Sequence, residues 1–229
     1  MASGGGVAGT DYTNAGGVFT AKSGASVNIN AADIQSALLT GGVILAADTV
    51  NVNAALTWTT SQRLTLGNTT SSTVAVNQNI SSSGVSAGVK IAANSYSLLT
   101  KSGYSIQLTG TSPTFILGST NYVVVNTVAG LTNVAANSTW ALTAPITLST
   151  SYTGAVKDFT FTGIMDGLGN TVNNMTIVVS ATKDAGFYAA LGGATVRNVG
   201  FTNVNISSCL LYTSPSPRDY AASRMPSSA

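Results

Sequence analysis

Histidine and glutamate are absent from the 229 residues, and cysteine occurs once. Without histidine, the commonest general base and metal ligand is gone, and with it every histidine-dependent triad. Cys209 alone supports neither an internal disulfide framework nor a cysteine-based zinc site. Charged side chains make up 7% of the chain, against about 25% in an average globular protein. The net charge is +2, and no segment concentrates the basic residues. Nucleic-acid binding needs a Lys/Arg footprint to displace counterions from phosphates, so that class is disfavoured. No apolar run approaches the roughly 18 residues that cross a bilayer, and Met1 is followed by Gly-rich sequence rather than a basic then apolar leader. If the protein is secreted, its signal lies outside this chain.

Gly, Ser, Thr, Asn, Ala and Val fill the space, and apolar residues reach 44%, enough for a sizeable core. Short alternating strands recur between Gly/Ser/Thr/Asn clusters that read as turns. Helix signals are nearly absent; one short helix is expected near Asp33 to Leu39, before Gly41 and Gly42. The strands are self-similar. Val52-Asn53 and Leu56 match Val76-Asn77 and Ile80 at an offset of 24, while Leu64-Thr65-Leu66 precedes Val89-Lys90-Ile91 by 25. Farther on, Thr171-Val172-Asn173-Asn174 aligns with Thr195-Val196-Arg197-Asn198, again 24 apart. A fixed period in this range means a solenoid or array. Leucine-rich repeats want leucines at set positions and propeller blades want longer units. The pattern therefore predicts an all-β chain, a right-handed parallel β-helix with turns of about 24 residues, eight or nine turns in all. Val52, Leu56, Leu64, Leu66, Val74, Val76, Ile80, Val89 and Ile91 should line one continuous core.

The recurrent asparagines Asn28, Asn53, Asn77, Asn174 and Asn198 read as ladder or turn positions, where amides bond along the stack and tolerate left-handed backbone. Asp158, Asp166 and Asp184 are the only clustered acids. Asp166 stands in Met-Asp-Gly-Leu-Gly, where an aspartate bonds its own backbone and Gly167 and Gly169 ease the turn; Gly200 is a further turn position. A calcium site needs several converging oxygens, so a structural turn outweighs a metal ligand at Asp166. Asp158 and Asp184 read as solvated loop charges, and Lys157 and Arg197 as exposed single charges. Trp58 and Trp140, with Tyr96, Tyr104 and Tyr122, either stack on sugars or pack in the core. Thr57-Trp58-Thr59 suggests an ice-binding array, but Ser81 and Ser83 follow one turn later and the array lapses. No catalytic residue, metal or cofactor is expected.

The DIQSALLTGG, VNVNAALTW and LTLGN elements resemble the rod repeats of filamentous-haemagglutinin-like exoproteins, large adhesins exported by two-partner secretion. FTGIMDGLGNTVNNMTI and GFYAALGGATVRNVGF resemble the GLUG-type repeat of such surface proteins, through Asp166, Gly167, Gly169, Asn170, Val172, Asn174, Gly186, Phe187, Val196, Asn198, Val199 and Gly200. The family's secretion domain carries Asn-Pro motifs, and this chain has no Asn-Pro dipeptide, so a segment from inside a rod is expected. Residues 208–229 lose the period, carry Pro215, Pro217, Pro226 and Cys209, and resemble a translated sequencing-adaptor read-through of a metagenomic assembly. The expected organisation is a Gly-rich lead-in at 1–20, a β-helix rod at 21–207 with the GLUG-like repeat at about 140–207, and a disordered tail at 208–229.

The resemblance implies a non-enzymatic structural and adhesive segment at the bacterial cell surface. Its partners would be a surface glycan or protein of a host or neighbouring cell, and an outer-membrane transporter of the two-partner type during export. End-to-end self-association is also expected, because a cut coil exposes strand edges. The alternatives are a polysaccharide-binding or polysaccharide-lyase β-helix and, behind them, an ice-binding solenoid.

Overall fold

The structure, a computed structural model, describes residues 12–21, 29–179 and 184–208. It is a parallel β-solenoid of about 7 turns, each about 26 residues, with 46% strand and 8% helix. The turns are fewer and longer than the 24-residue spacing predicts. All nine residues predicted for the core are buried.

In the first coil three short strands make each turn. Thr49–Val52, Thr73–Val76 and Ser97–Leu98 stack on one face, while Leu56–Trp58, Ile80–Ser82 and Ile106–Leu108 stack on the next. Val43–Ala46, Arg63–Leu66, Gly88–Ile91 and Thr114–Leu117 form the third. Leu56 stands over Ile80 and Leu64 over Val89, the 24 and 25 offsets read from the sequence. Alternation sends every second side chain inward, so each strand needs only two or three apolar residues. A helix, Ala31–Ala37, closes the beginning of this coil. Asn30 caps it by accepting the Ala32 N–H at 3.0 Å, and Ile34 and Leu38, one helical turn apart, are buried against the coil. Gln35 accepts the N–H of Thr57 at 3.0 Å, which satisfies an edge donor of Leu56–Trp58.

At Gly118 and Ser119 the chain turns back. Thr114–Leu117 pairs antiparallel with Thr120–Val125, after which Thr139–Leu142, Ile164–Asp166 and Thr195–Arg197 add in parallel; with the antiparallel pair Tyr12–Ala15 and Val18–Ala21 beside Val43–Ala46 at the other edge, the sheet has ten strands. The second coil encloses the opposite face of that sheet. Tyr122 and Ala141 belong to the first core, whereas Val125, Trp140, Leu142 and Met165 belong to a second. Reversed strand direction combined with the opposite enclosed face keeps one hand of winding in both coils.

The second coil has a fourth strand in each turn, Lys157–Phe161 stacking on Tyr188–Leu191. Its last turn is longer: Val172 stands over Phe201 and Met165 over Val196, offsets of 29 and 31. The 24-residue match between Thr171–Asn173 and Thr195–Arg197 is therefore not a structural period. The two segments lie in different sheets, because the longer turn carries the repeated motif past its equivalent face.

The outer face of the second coil lies on the end of the first. Leu108 N–H donates to Thr143 O at 2.7 Å, and Ile106 N–H to Leu168 O at 2.9 Å. Asn170 Nδ2 bridges Ile106 O and Leu142 O, each at 2.9 Å. Leu168 and Ala141 are fully buried within the first core. The edge left by Ile106–Leu108 is thus paired rather than open. Among the described residues no helix is long and apolar enough to cross a membrane.

Candidate functional site

The junction of the two coils holds the one buried ion pair among the described residues. Asp166, at the end of Ile164–Asp166, is 0% exposed, and its Oδ2 receives Arg197 Nε at 2.8 Å. Register brings them together, since Asp166 and Arg197 are partners in adjacent strands. The Tyr96 hydroxyl, from the first coil, lies 3.0 Å from both carboxylate oxygens. Asn198 Nδ2 donates to Oδ1 at 3.0 Å, as does the Leu168 N–H at 3.1 Å. Four donors on one carboxylate offset the large desolvation cost of burying it. The Arg197 guanidinium also lies over the Tyr96 ring and donates to the Tyr122 hydroxyl at 3.4 Å.

The turn predicted at Asp166 is present: the aspartate bonds the Leu168 N–H, Leu168 and Gly169 have φ of 51° and 80°, and Gly167 N–H donates to Arg197 O at 2.8 Å. A Cβ on Gly169 would stand 2.3 Å from Tyr104 O, so glycine is required there by contact as well as by φ. Asn174 and Asn198, at φ of 62° and 53°, hold left-handed turns. Asn174 Nδ2 reaches Leu148 O at 2.8 Å, and Gly200 N–H reaches Asn170 O at 3.1 Å. Asn77 donates to Asn53 at 2.9 Å on the exposed side of the first coil; Asn28 lies outside the described residues.

Arg197 and Lys157 are not the exposed single charges expected of them. Lys157 is buried, and its Nζ donates to Leu131 O and Thr132 O, both at 3.0 Å, at the C-terminal end of helix Val128–Thr132. It supplies those carbonyls with donors that the helix cannot. Burial holds its ammonium below the usual lysine range. Asp158 and Asp184 are exposed. Trp58 and Trp140 are buried in the two cores, so neither offers a face to a sugar. Thr143 and the roles of Asn170 and Tyr96 escape sequence reading. Tyr96 and Asp166 are 70 positions apart and meet only because one coil closes the other.

Beside the hairpin turn is a cleft of about 260 Å³, whose polar lining comprises Asn94, Ser119, Thr120, Tyr122, Thr195 and Arg197. The Asp166 carboxylate is engaged behind it. Among the described residues no three His, Cys, Asp or Glu side chains converge as a metal site would require. The cleft offers hydroxyls, an amide and one neutralised guanidinium: hydrogen bonding, without an acid–base pair. Comparison with family models, with curated proteins and with solved structures finds no match for this chain.

Three tyrosines, Tyr122 buried and Tyr96 and Tyr188 partly buried, give the fold a pH dependence. Burial raises the Tyr96 hydroxyl well above its ordinary 10, with the Asp166 carboxylate adding to the effect; burial also raises Tyr122 and Tyr188. A phenol whose folded pKa exceeds its unfolded value contributes stability that is complete below about pH 10 and is lost above it, because the unfolded chain ionises first. Lys157, lowered on folding, acts oppositely, and its cost fades as the pH approaches its ordinary value. Denaturant midpoints are thus expected to hold or rise slightly from about pH 8 to pH 10 and to fall beyond; a midpoint still rising at about pH 11 would contradict the partial burial of these hydroxyls.

Proposed function

We propose that this chain is a structural and adhesive segment of a large secreted bacterial surface exoprotein, a stiff spacer whose long sides make the contacts. The observation that carries the reading is the treatment of the outward positions. They bear hydroxyl and amide side chains bonded from turn to turn: Thr57 to Ser81 at 3.2 Å, Asn77 to Asn53 at 2.9 Å, and Thr202 to Asn173 at 3.0 Å. Such sides are polar, regular and nearly uncharged, suited to hydrogen bonding with a surface glycan or protein of a neighbouring or host cell. Stacked turns stabilise one another, so the chain can fold progressively as it leaves an outer-membrane transporter of the two-partner type.

The second reading is polysaccharide binding or cleavage, favoured by the cleft at Arg197 and Tyr122. Cleavage is disfavoured because Asp166, the carboxylate paired with Arg197 of that cleft, is engaged by four donors. Incubation with immobilised pectin, alginate and neutral glycans, with and without calcium, is expected to retain the protein without releasing products. Release of products that is abolished by Asp166→Ala, while the variant stays folded, would replace the adhesive reading with an enzymatic one. Retention on no glycan and no cell surface would remove the adhesive part.

A further inference from the structure

Of the Lys and Arg side chains that the structure describes, two are used inside the fold, Lys157 on the carbonyls of helix Val128–Thr132 and Arg197 on Asp166. The other two, Arg63 and Lys90, have no hydrogen-bond or ion-pair partner among the described residues. Both stand on one face, along the side of the first coil. Leu64, Leu66, Val89 and Ile91 point into the first core, so alternation turns Arg63, Thr65 and Lys90 to the outer side of the sheet. Register lays that side out as a grid. Ile44, Thr65, Lys90, Ile116 and Asn121 are partners across five successive strands, and Arg63, Gly88 and Thr114 form the row beside them. Arg63 and Lys90 are therefore diagonal neighbours, their Cα atoms about 8 Å apart, one strand spacing across and two residues along. The five strands, Val43–Ala46, Arg63–Leu66, Gly88–Ile91, Thr114–Leu117 and Thr120–Val125, contain no acidic residue. A Cβ on Gly88 would stand 2.2 Å from Thr114 Oγ1 and 3.4 Å from Arg63 Cδ, so the Arg63 stem and the Thr114 hydroxyl lean together over bare backbone. Ile44, Arg63, Thr114 and Asn121 are exposed, and Thr65, Lys90 and Ile116 are half-buried between their neighbours.

We infer that this sheet face binds an acidic polysaccharide, which lies across the strands with its carboxylates on Arg63 and Lys90. The inference rests on the adhesive reading and adds which side makes the contact and what chemistry it selects. Charge complementarity sets the sign of the partner, because no carboxylate in these strands neutralises the two cations. The guanidinium fork takes a carboxylate in two parallel bonds, while the ammonium acts as a point charge. Thr65, Thr114 and Asn121 place hydroxyl and amide groups between and beside the cations, where sugar hydroxyls would lie. Ile44 and Ile116 present apolar surface to the C–H faces of sugar rings. All five strands are already paired on both sides, so no edge here accepts an incoming peptide strand. Nucleic acids and anionic bilayers are held by denser basic sets, about 4–8 Lys or Arg for a headgroup layer, and this face has two.

Isothermal titration of the full chain in calcium-free buffer tests the inference, with polygalacturonate as the probe against dextran, poly-glutamate and duplex DNA. Polygalacturonate is expected to bind, and to bind more weakly as salt rises, because exposed charges are screened. Arg63→Gln/Lys90→Gln should lower its affinity about tenfold, the loss of two exposed ionic contacts. Circular dichroism and the melting temperature of this variant should match the native chain, since both side chains point away from the core. Lys101→Gln removes a charge outside these strands and should leave the affinity unchanged. A double variant that binds as the native chain does, a loss in Lys101→Gln as large as in the double variant, or tighter binding of poly-glutamate or DNA would each overturn the inference. Dextran binding that equals polygalacturonate binding and is untouched by the substitutions would overturn it while leaving the adhesive reading standing, whereas binding of no glycan would end both.

Discussion

Asp166→Ala is expected to destabilise the protein by about 3–5 kcal/mol, because removing one member of a buried, hydrogen-bonded pair strands the other groups. The stranded donors are Arg197 Nε, the Tyr96 hydroxyl, Asn198 Nδ2 and the Leu168 N–H. Arg197 is 33% exposed and can turn toward water, which moderates its share. The fully buried Leu168 N–H has no such recourse, and Tyr96 is held between the coils. For a chain of this size the melting temperature should drop by roughly 10 °C. Asp166→Asn keeps an acceptor for Leu168 and should lose less. Adding Arg197→Ala to Asp166→Ala should cost much less than the two single losses together, because the guanidinium loses its purpose with its partner. Equilibrium denaturation of the native chain and the four variants measures this. An Asp166→Ala variant of native stability would mean that the junction is not held by this cluster.

Gly110→Ala and Gly84→Ala are expected to cost about 3 kcal/mol or more each, at the upper end of overpacking effects. These glycines lie at one corner of the first coil, stacked turn upon turn. A Cβ on Gly84 would stand 1.8 Å from Thr60 O and one on Gly110 2.0 Å from Gly84 O. The atoms in the way are backbone carbonyls, so relief requires separating whole turns rather than turning a side chain. Asn126 Nδ2 continues the corner by donating to Gly110 O at 3.1 Å. Gly41→Ala is the control, since no atom lies within 4 Å of its Cβ position, and it should leave stability unchanged or raise it by about 0.5 kcal/mol. Equal melting temperatures for Gly41→Ala and Gly110→Ala would contradict the stacking at that corner.

The first coil is legible in the sequence because its period is set locally. Val52, Leu56, Leu64 and their equivalents 24 or 25 positions on alternate with polar residues, and alternation together with a fixed interval leaves the stack little freedom. The reversal at Gly118 and Ser119 is not legible. Thr114–Leu117 and Thr120–Val125 both read as ordinary strands, and the choice between continuing the coil and turning back depends on which face of the sheet can be enclosed. The surroundings of Arg197 and Lys157 are illegible for the same reason. Arg197 and Lys157 look like surface charges until a second coil or a helix end is brought over them, and the Asp166 turn was recognised without its partner Tyr96. The repeated Thr-Val-x-Asn motif misled because it marks corners of different faces.

The claim on which these expectations converge is that the second coil closes the end of the first. Native-state hydrogen exchange at Ile106 and Leu108 tests it most directly, because their N–H groups would face outward at the edge of an open-ended rod but here donate to Leu168 O and Thr143 O. Protection of both amides comparable to that within Gly88–Ile91, and its selective loss in Asp166→Ala, is the predicted result. Exchange of both amides at the rate of an unstructured peptide, while Gly88–Ile91 stays protected, would contradict it.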